Sequence, residues 1–270
     1  MPEGDTLYRT AVALRVHLVG KRVTAATART PGPRAELLVG TTIIAVESIG
    51  KNLILRFDSG LELRTHLRMR GAWHRYRPGE RWRRPAARAR ILLEVSGSVA
   101  VCFDAPVVEL LESRAEAFHP PLARLGPDLL SDDFDEREAL ARLRAGARAN
   151  VPIAQALLDQ AALAGIGNVY CDEALFAERV DPFVLVGDLP DEALERLVRR
   201  ARTLLRANRL TPIRTTTPAA VAAAGSRLWV YGRAGRPCPR CGAILLARRL
   251  GDPPRRRTWC PRCQSAAIAG

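Results

Sequence analysis

Apolar residues near the start of the chain recur at intervals of three and four positions. This spacing places them on one face of a helix, at Leu7, Ala11, Leu14 and Leu18. Pro2 precedes the pattern, and Glu3 and Asp5 fall in its first turn, where proline and acidic side chains are favoured. The pattern predicts an amphipathic helix over residues 3–19.

From about residue 22 to residue 112 the pattern changes to short runs rich in β-branched and aromatic residues. Glycine, proline or charged breaks separate the runs, which cover residues 41–49, 52–57, 61–67, 90–95, 98–103 and 106–111. The runs predict an antiparallel β-sandwich or barrel behind the helix. Residues 74–90 are basic and lack clear periodicity. They predict a surface loop, which is either simply solvated or in contact with nucleic acid.

Helical spacing returns after a polar, turn-rich segment at residues 126–135. The helical segments cover residues 136–147, 152–164, 168–180 and 191–208. A less periodic linker follows from about residue 209, and the chain ends in a cysteine-bearing tail. The order of elements predicts an α+β fold with a domain boundary near residue 128.

Composition indicates the kind of partner. The 270 residues are 47% hydrophobic, a normal share for a globular protein, and carry a formal net charge of +14. Such a charge favours a polyanion, with nucleic acid first. The acidic start and the lack of a long apolar window argue against a signal peptide or a membrane span, so we expect a cytoplasmic protein. Lys21 and Lys51 are the only lysines. A GC-rich coding sequence explains much of the arginine bias, and the open question is which of the two lysines needs an ammonium group that arginine cannot replace.

Four of the six cysteines form two CxxC pairs separated by eighteen residues, namely Cys238, Cys241, Cys260 and Cys263. This spacing is typical of a four-cysteine zinc site, and a site filled by four cysteines has no open position for water. We expect one structural zinc ion. The alternative is a pair of redox dithiols, but the βαβ context of such motifs is missing. Residues 255–257 are all arginine, so the finger would present a cationic tip.

Gly165 and Gly167 stand directly before the helical segment that begins at Asn168. Glycines before a helix start let backbone amides approach an anion, which predicts phosphate binding. The alternative is a plain glycine-rich turn between two helices.

The N-terminus offers a possible nucleophile. Removal of Met1 would leave Pro2 with a secondary amine, and an α-amine has a lower pKa than a lysine side chain, so more of it is unprotonated at neutral pH. This amine could form an iminium with an aldehyde. Glu3 could act as acid or base, and Lys51 could supply a cation. The alternative for Pro2 and Glu3 is ordinary chemistry of a helix start.

Several motifs occur together in one order along the chain. They are PEGDT at residues 2–6, GKNLIL at 50–55, HLRMRG at 66–71, LLDQAALAGIGNVYCDE at 157–173, VYGR at 230–233 and the two CPRC sequences. This order resembles the formamidopyrimidine-DNA glycosylase and endonuclease VIII family, and PEGDT with HLRM resembles its actinobacterial endonuclease VIII-like branch.

The resemblance implies three domains. These are an N-terminal catalytic β-sandwich domain at residues 1–128, a helix-two-turn-helix domain at 129–225 and a zinc finger at 226–270. It implies a monomeric, nucleoid-associated enzyme of base excision repair that acts on damaged duplex or single-stranded DNA in a basic cleft. Zinc would be its only cofactor, with no small-molecule cofactor and no membrane partner.

The resemblance also implies catalytic roles. Pro2 resembles the family's nucleophile, which attacks C1′ of a flipped nucleotide. Glu3 resembles its general acid and proton shuttle, and Lys51 its phosphate-binding lysine. The reaction would remove the base and then cut both sides of the sugar by β,δ-elimination.

Two sets of DNA contacts follow from the same resemblance. Met69 matches the residue inserted into the hole left by the flipped base, and the alternative for Met69 is a core position. Arg68 and Arg70 would face the opposite strand or its phosphates.

In the second half of the chain, Asn168 with the Gly165 and Gly167 backbone resembles the phosphate clamp. Either Arg255 or Arg256 resembles the finger arginine.

Two departures from the family pattern affect these expectations. Ala161 stands where relatives often have a basic residue, which suggests weaker, less salt-sensitive DNA binding. Residues 209–229 lack the loop with which 8-oxoguanine enzymes cover a flipped purine, so we expect oxidised pyrimidines as substrates. The alternatives are an 8-oxoguanine or formamidopyrimidine glycosylase, and a non-catalytic protein of the same fold that binds damaged DNA.

Overall fold

The computed structural model describes residues 2–29, 31–113 and 118–265. Met1, whose removal the N-terminal chemistry requires, lies outside them. The chain forms two compact units, residues 1–124 and residues 125–270.

The N-terminal helix α1 spans Gly4–Leu18 and confirms the predicted amphipathic helix. Its four predicted apolar positions are between 0% and 3% exposed. The Arg15 guanidinium donates two hydrogen bonds to the carbonyl of Val46, at 3.2 and 2.8 Å. This contact fixes α1 on the strand that contains Val46.

Eight strands of the first unit form two four-stranded antiparallel sheets. The first sheet has the order β1-β6-β7-β5, from β1 (Val23–Ala28), β6 (Ala89–Val95), β7 (Ser98–Phe103) and β5 (Ala72–Tyr76). The second has the order β2-β3-β4-β8, from β2 (Ile43–Ile49), β3 (Asn52–Phe57), β4 (Leu61–His66) and β8 (Val107–Glu112). One core joins side chains of α1 and of both sheets, which confirms a sandwich. A short helix α2 (Pro120–Ala123) follows.

The strand β7 is buried on both faces. Ala100 and Cys102 belong to the core between the sheets, whereas Val101 and Phe103 belong to a second cluster with Tyr76. Burial on both faces explains why this run has no polar alternation in the sequence.

Two strands, β1 and β5, were not among the six predicted runs. The expected surface loop at residues 74–90 is wrong at both ends, because β5 extends to Tyr76 and β6 begins at Ala89. The sequence of β5 mixes polar and apolar residues, so it does not predict a strand. The outer face of β5 is buried because it packs in the second cluster, outside the core between the sheets. The loop itself therefore covers only residues 77–88, including a short 3₁₀ turn.

The second unit is helical and ends in a hairpin. Its helices are α3 (Glu136–Arg144), α4 (Ile153–Ala156), α5 (Asn168–Ala177), α6 (Asp191–Asn208) and α7 (Ala219–Ala223). The hairpin pairs β9 (Leu246–Leu250) with β10 (Arg255–Trp259). No helix in the described part of the chain is long and apolar enough to cross a membrane.

The helix predicted at residues 152–164 ends after one turn, at Ala156. Beyond it, side chains replace the helical backbone pattern: Asp159 accepts the N–H of Ala161 at 2.9 Å. The Gln160 side chain bonds the Gly165 N–H at 3.2 Å and the Ile166 carbonyl at 3.1 Å. Such side-chain hydrogen bonds compete with helix formation.

Candidate functional site

The start of α1 carries two buried carboxylates. Pro2 is half-buried, and Glu3 and Asp5 are both 0% exposed. The Glu3 carbonyl accepts the N–H groups of Thr6 and Leu7, at 2.9 and 3.1 Å. The Glu3 side chain makes no capping bond to the helix. Glu3 directly follows Pro2 in the chain, so both residues lie at the positive end of the helix dipole.

Lys51 lies on the two-residue turn between β2 and β3. Ile49 pairs with Asn52 across this turn, and Gly50 has a φ of 58°, a conformation that favours glycine. Asn52 also pairs with His66 on β4. The sheet register therefore brings Lys51, which precedes Asn52, near His66. The sequence pattern alone assigns no role to His66.

The surroundings of His66 are strongly positive. Burial, followed by the charges of Arg64, Lys51 and Arg68, lowers the pKa of His66 to about 4. The backbone N–H of Arg68 donates to His66 Nδ1 at 3.2 Å. The neutral ring therefore carries its proton on Nε2. A neutral donor among three cations is suited to an anion. The position of His66 just before the HLRM turn is the sequence signal that could have found it.

The turn between β4 and β5 exposes three consecutive side chains, Arg68, Met69 and Arg70. Met69 is 67% exposed, which excludes the alternative of a core methionine. A Cβ atom on Gly71 would lie 2.5 Å from the Leu67 carbonyl oxygen, so only glycine fits this turn. The tight turn holds an apolar side chain outward between two guanidinium groups.

Gly165, Gly167 and Asn168 lie together before and at the start of α5. Gly165 has a φ of 93°, and its N–H is used inside the turn by Gln160. Gly165 thus contributes its conformation and not a free donor. Gly167 is the N-cap of α5, and Asn168 Oδ1 is buried without a hydrogen-bond partner. No hydrogen bond to Oδ1 therefore holds the Asn168 side-chain amide in place.

The four predicted metal ligands lie in one cluster. The Sγ atoms of Cys238, Cys241, Cys260 and Cys263 all lie within 4.8 Å of one another. The Cys238–Cys263 and Cys241–Cys260 sulfur pairs are 4.0 and 3.5 Å apart. A tetrahedral zinc ion with Zn–S bonds of about 2.3 Å requires sulfur separations of about 3.8 Å. The thiol set therefore fits one metal ion.

Backbone amides point at two of these sulfurs. The N–H of Arg240 donates to Cys238 Sγ, and the N–H of Cys263 donates to Cys260 Sγ, both at 3.4 Å. Such donors stabilise thiolates, the form in which cysteine binds metal.

The three arginines of the finger hairpin differ in exposure. Arg255 and Arg256 are exposed, whereas Arg257 is 1% exposed and forms an ion pair with Asp172 of α5. The expectation that all three form the cationic tip is wrong for Arg257. Its neighbour Thr258 is also held, because its N–H donates to Asp172 Oδ2 at 3.1 Å.

Sequence profiles of known families match both units. The formamidopyrimidine-DNA glycosylase N-terminal domain matches residues 1–106, and the H2TH domain of the same glycosylase matches residues 125–215.

Relatives similar over nearly the whole chain carry related names. The chain is 42% identical over 269 residues to the probable endonuclease 8 2 of Streptomyces coelicolor, covering 98% of this chain and 94% of that protein. It is also 42% identical over 267 residues to the DNA-(apurinic or apyrimidinic site) lyase Nei2 of Mycolicibacterium smegmatis, covering 99% and 100%.

Solved structures share the fold. The MutM (Fpg) protein of Thermus thermophilus superposes with a TM-score of 0.81 at 30% identity, covering 97% of this chain and 98% of that one. The Lactococcus lactis Fpg in complex with abasic-site DNA has a TM-score of 0.81 at 24% identity, covering 97% and 99%. The resemblance drawn from the motifs is thus confirmed, and the chain belongs to the formamidopyrimidine-DNA glycosylase and endonuclease VIII family.

Proposed function

We propose that this protein is a bifunctional DNA glycosylase and abasic-site lyase of base excision repair that removes oxidised pyrimidines. The observation that carries the proposal is that Pro2 directly precedes a buried Glu3 at the start of α1, in a chain whose relative from Mycolicibacterium smegmatis is named an abasic-site lyase.

The Pro2 nitrogen supplies the nucleophile once Met1 is removed. It attacks C1′ of the damaged nucleotide, the base leaves with a proton, and the opened sugar remains attached to Pro2 as an iminium. Loss of a proton from C2′ then expels the 3′ phosphate by β-elimination, and a further δ-elimination expels the 5′ phosphate. We assign to Glu3 the transfer of protons to and from the sugar ring, because Glu3 directly follows Pro2 and carries a buried carboxyl group at the start of α1.

Two clusters, one in each unit, supply phosphate contacts. In the first, Lys51 and the Nε2–H of His66 form a positive site beside the β2–β3 turn. In the second, the Asn168 side-chain amide lies at the N-terminus of α5, where the helix dipole favours a bound phosphate. Arg255 and Arg256 add exposed charge from the finger hairpin. These groups fit the negative backbone of DNA, which is the substrate that the glycosylase activity requires.

Met69 acts as the wedge that fills the space left by a flipped nucleotide. Its high exposure on a tight turn would be unfavourable for a methionine with no partner, whereas insertion between base steps buries it. Arg68 and Arg70 then face the opposite strand.

The metal of the cysteine cluster is zinc in this proposal. Four thiolates complete its coordination, so zinc supplies rigidity to the finger and takes no part in the reaction. The four cysteines would hold the ion while β9 and β10 carry the exposed arginines.

A non-catalytic protein that binds damaged DNA is the second candidate, and an 8-oxoguanine or formamidopyrimidine glycosylase is the third. The presence of Pro2, Glu3 and Lys51 favours an enzyme over the non-catalytic protein. The short helix α7 and its flanking turns occupy residues 209–229 without a purine-covering loop, which favours oxidised pyrimidines over 8-oxoguanine and formamidopyrimidine as substrates.

Borohydride trapping on an abasic-site oligonucleotide tests the proposal. The expected result is a covalent adduct that peptide mass mapping places at Pro2 and that disappears when one residue is added before Pro2. Tight DNA binding without any adduct would support the non-catalytic protein. Excision assays on paired oligonucleotides with oxidised pyrimidines or 8-oxoguanine then decide between the two substrate classes.

A further inference from the structure

The loop that leaves β5 is dense in arginine. We call residues 77–85 the arginine cap; its basic members are Arg77, Arg81, Arg83 and Arg84. Glu80 is its only acid, and its carboxylate accepts the backbone N–H of Arg77 at 2.8 Å. The acid is therefore turned to the backbone of its own loop.

Aromatic contacts hold the cap in one conformation. Trp82 stacks on Tyr76, with ring centroids 6.1 Å apart and planes at 25°, and meets Phe103 edge-on at 5.7 Å. The Tyr76 hydroxyl accepts the N–H of Arg83 at 3.1 Å and lies 2.8 Å from His74 Nδ1. The cap is already ordered, so a ligand would not have to bear the entropy cost of ordering it.

Most of the cap's charge is uncompensated. Arg84 forms an ion pair with Asp104 at 2.7 Å. Arg77, Arg81 and Arg83 are exposed and have no acidic partner among residues 2–29, 31–113 and 118–265. By contrast, Arg199 and Arg200 of α6 are both ion-paired. Guanidinium groups without acidic partners form a site for an anion.

The geometry connects this charge to the wedge turn. Arg84 donates to the carbonyl of Arg70 at 3.0 Å as well as to Asp104. Arg81 and Arg83 line, with Trp82, a groove of about 620 Å³ formed by residues 80–86. Arg84, which also lines this groove, therefore links it to the turn that carries Met69.

We propose that the arginine cap is a second DNA-contact surface, which binds phosphates of the duplex that flanks the lesion. The Trp82 ring is engaged by Tyr76 and Phe103. The guanidinium groups of Arg81 and Arg83 are the recognising groups, and they bind the backbone in preference to stacked bases. This inference rests on the proposed function, because it takes the Met69 turn as the point where the duplex is opened.

The test compares Arg81→Gln, Arg83→Gln and the double variant with the native protein on a duplex that carries a central abasic-site analogue and long flanks. Each phosphate contact changes the slope of log K against log salt by about 0.9, so the double variant should lose about two units of slope. Shortening one flank should abolish this difference, while shortening the other should leave it. Borohydride trapping by the native protein on the same duplex shows that the protein under test is an active lyase.

The matched control is Lys21→Gln with Arg34→Gln. These exposed residues flank β1, which forms the opposite edge of the sheet from β5. The two control substitutions remove the same charge as the double variant and leave the cap unchanged. The salt slope of the control should therefore stay close to that of the native protein.

The inference would be overturned by an unchanged slope for the double variant, by an equal loss in the control, or by a loss that does not depend on either flank. A loss confined to single-stranded DNA would make the cap a single-strand site and would also overturn the inference.

A native protein that neither binds nor traps abasic DNA would instead overturn the proposed function. Binding and trapping that are normal in the native protein and in the variants would overturn only this inference.

Discussion

Arg257 and Asp172 form a buried ion pair that joins the finger hairpin to α5, with Nη1 3.0 Å from Oδ1 and neither side chain more than 1% exposed. Asp172 lies one helical turn after Asn168, on the same face of α5. The pair therefore fixes the hairpin against the helix whose first residue carries the proposed phosphate contact.

Replacing Arg257 by Met should strongly destabilise the second unit, because it leaves the Asp172 carboxylate buried without its cation. Loss of one partner of a buried pair costs about 3–5 kcal/mol. Urea unfolding should show this loss, and the double variant Arg257→Met with Asp172→Leu should recover much of it, since the unpaired charge is gone. Arg199→Met, which breaks an exposed pair with Glu136, is the control and should change stability little. A recovery that fails would mean that the hydrogen bond from Thr258 to Asp172, and not the ion pair, is the main contribution.

Glu3→Gln should abolish base excision and leave DNA affinity nearly unchanged. The amide keeps the size of the side chain but cannot carry a proton, and Glu3 is not placed as a phosphate contact. Single-turnover excision and equilibrium binding on the same oligonucleotide measure the two effects separately. Glu36→Gln, an exposed acid of the same unit, should excise normally. Excision by the Glu3 variant at the native rate would remove Glu3 from the mechanism.

If the proposed zinc ion holds the four cysteines, its removal by a strong chelator should unfold the finger and weaken DNA binding. The cysteine cluster packs with Phe176, Val230 and Leu245 in one small core, which is too small to persist without the metal. Metal content, thermal unfolding and DNA affinity should fall together, and they should return together on adding zinc.

A variant pair tests the same site without a chelator. Cys263→Ser should lower the zinc content, whereas Cys102→Ser, at a buried cysteine of the first unit, should keep it. Full DNA affinity in a metal-free protein would contradict the role given to the finger.

Some elements of this fold can be predicted from the sequence and others cannot, for physical reasons. The sequence predicts both the helix α1 and the cysteine cluster, because α1 follows a periodic apolar pattern and the four cysteines follow the spacing of metal ligands. The helix expected at residues 152–164 was not, because Asp159 and Gln160 bond to backbone groups that a helix would otherwise use. Local side-chain hydrogen bonds of this kind leave no periodic signal.

Within the site, contacts between residues far apart in the sequence are the reason. Arg257 and its exposed neighbours have the same residue type in the sequence, and only the presence of Asp172 across the packed interface separates the buried arginine from the exposed ones. His66 gained a role from the register of β3 and β4, which placed it beside Lys51.

His66 gives a prediction about pH. Its folded pKa of about 4 lies below the ordinary value of 6.5, mainly because of burial and then because of nearby cations. The unfolded chain therefore binds the proton first as the pH falls. The stability that His66 contributes should be complete above about pH 6.5 and should be lost between there and about pH 4.

The measurement compares the free energy of unfolding of the native protein and of His66→Gln across this range. The native protein should lose the larger amount, by at most about 1.4 kcal/mol per pH unit and less because the side chain is partly solvated. Equal pH dependence in the two proteins would contradict the lowered pKa. Binding of DNA should act in the opposite direction, since a phosphate beside Lys51 and His66 favours the charged ring. An imidazole resonance that titrates at higher pH in the DNA complex than in the free protein would place a phosphate at this site, and an unchanged resonance would remove His66 from the DNA contact.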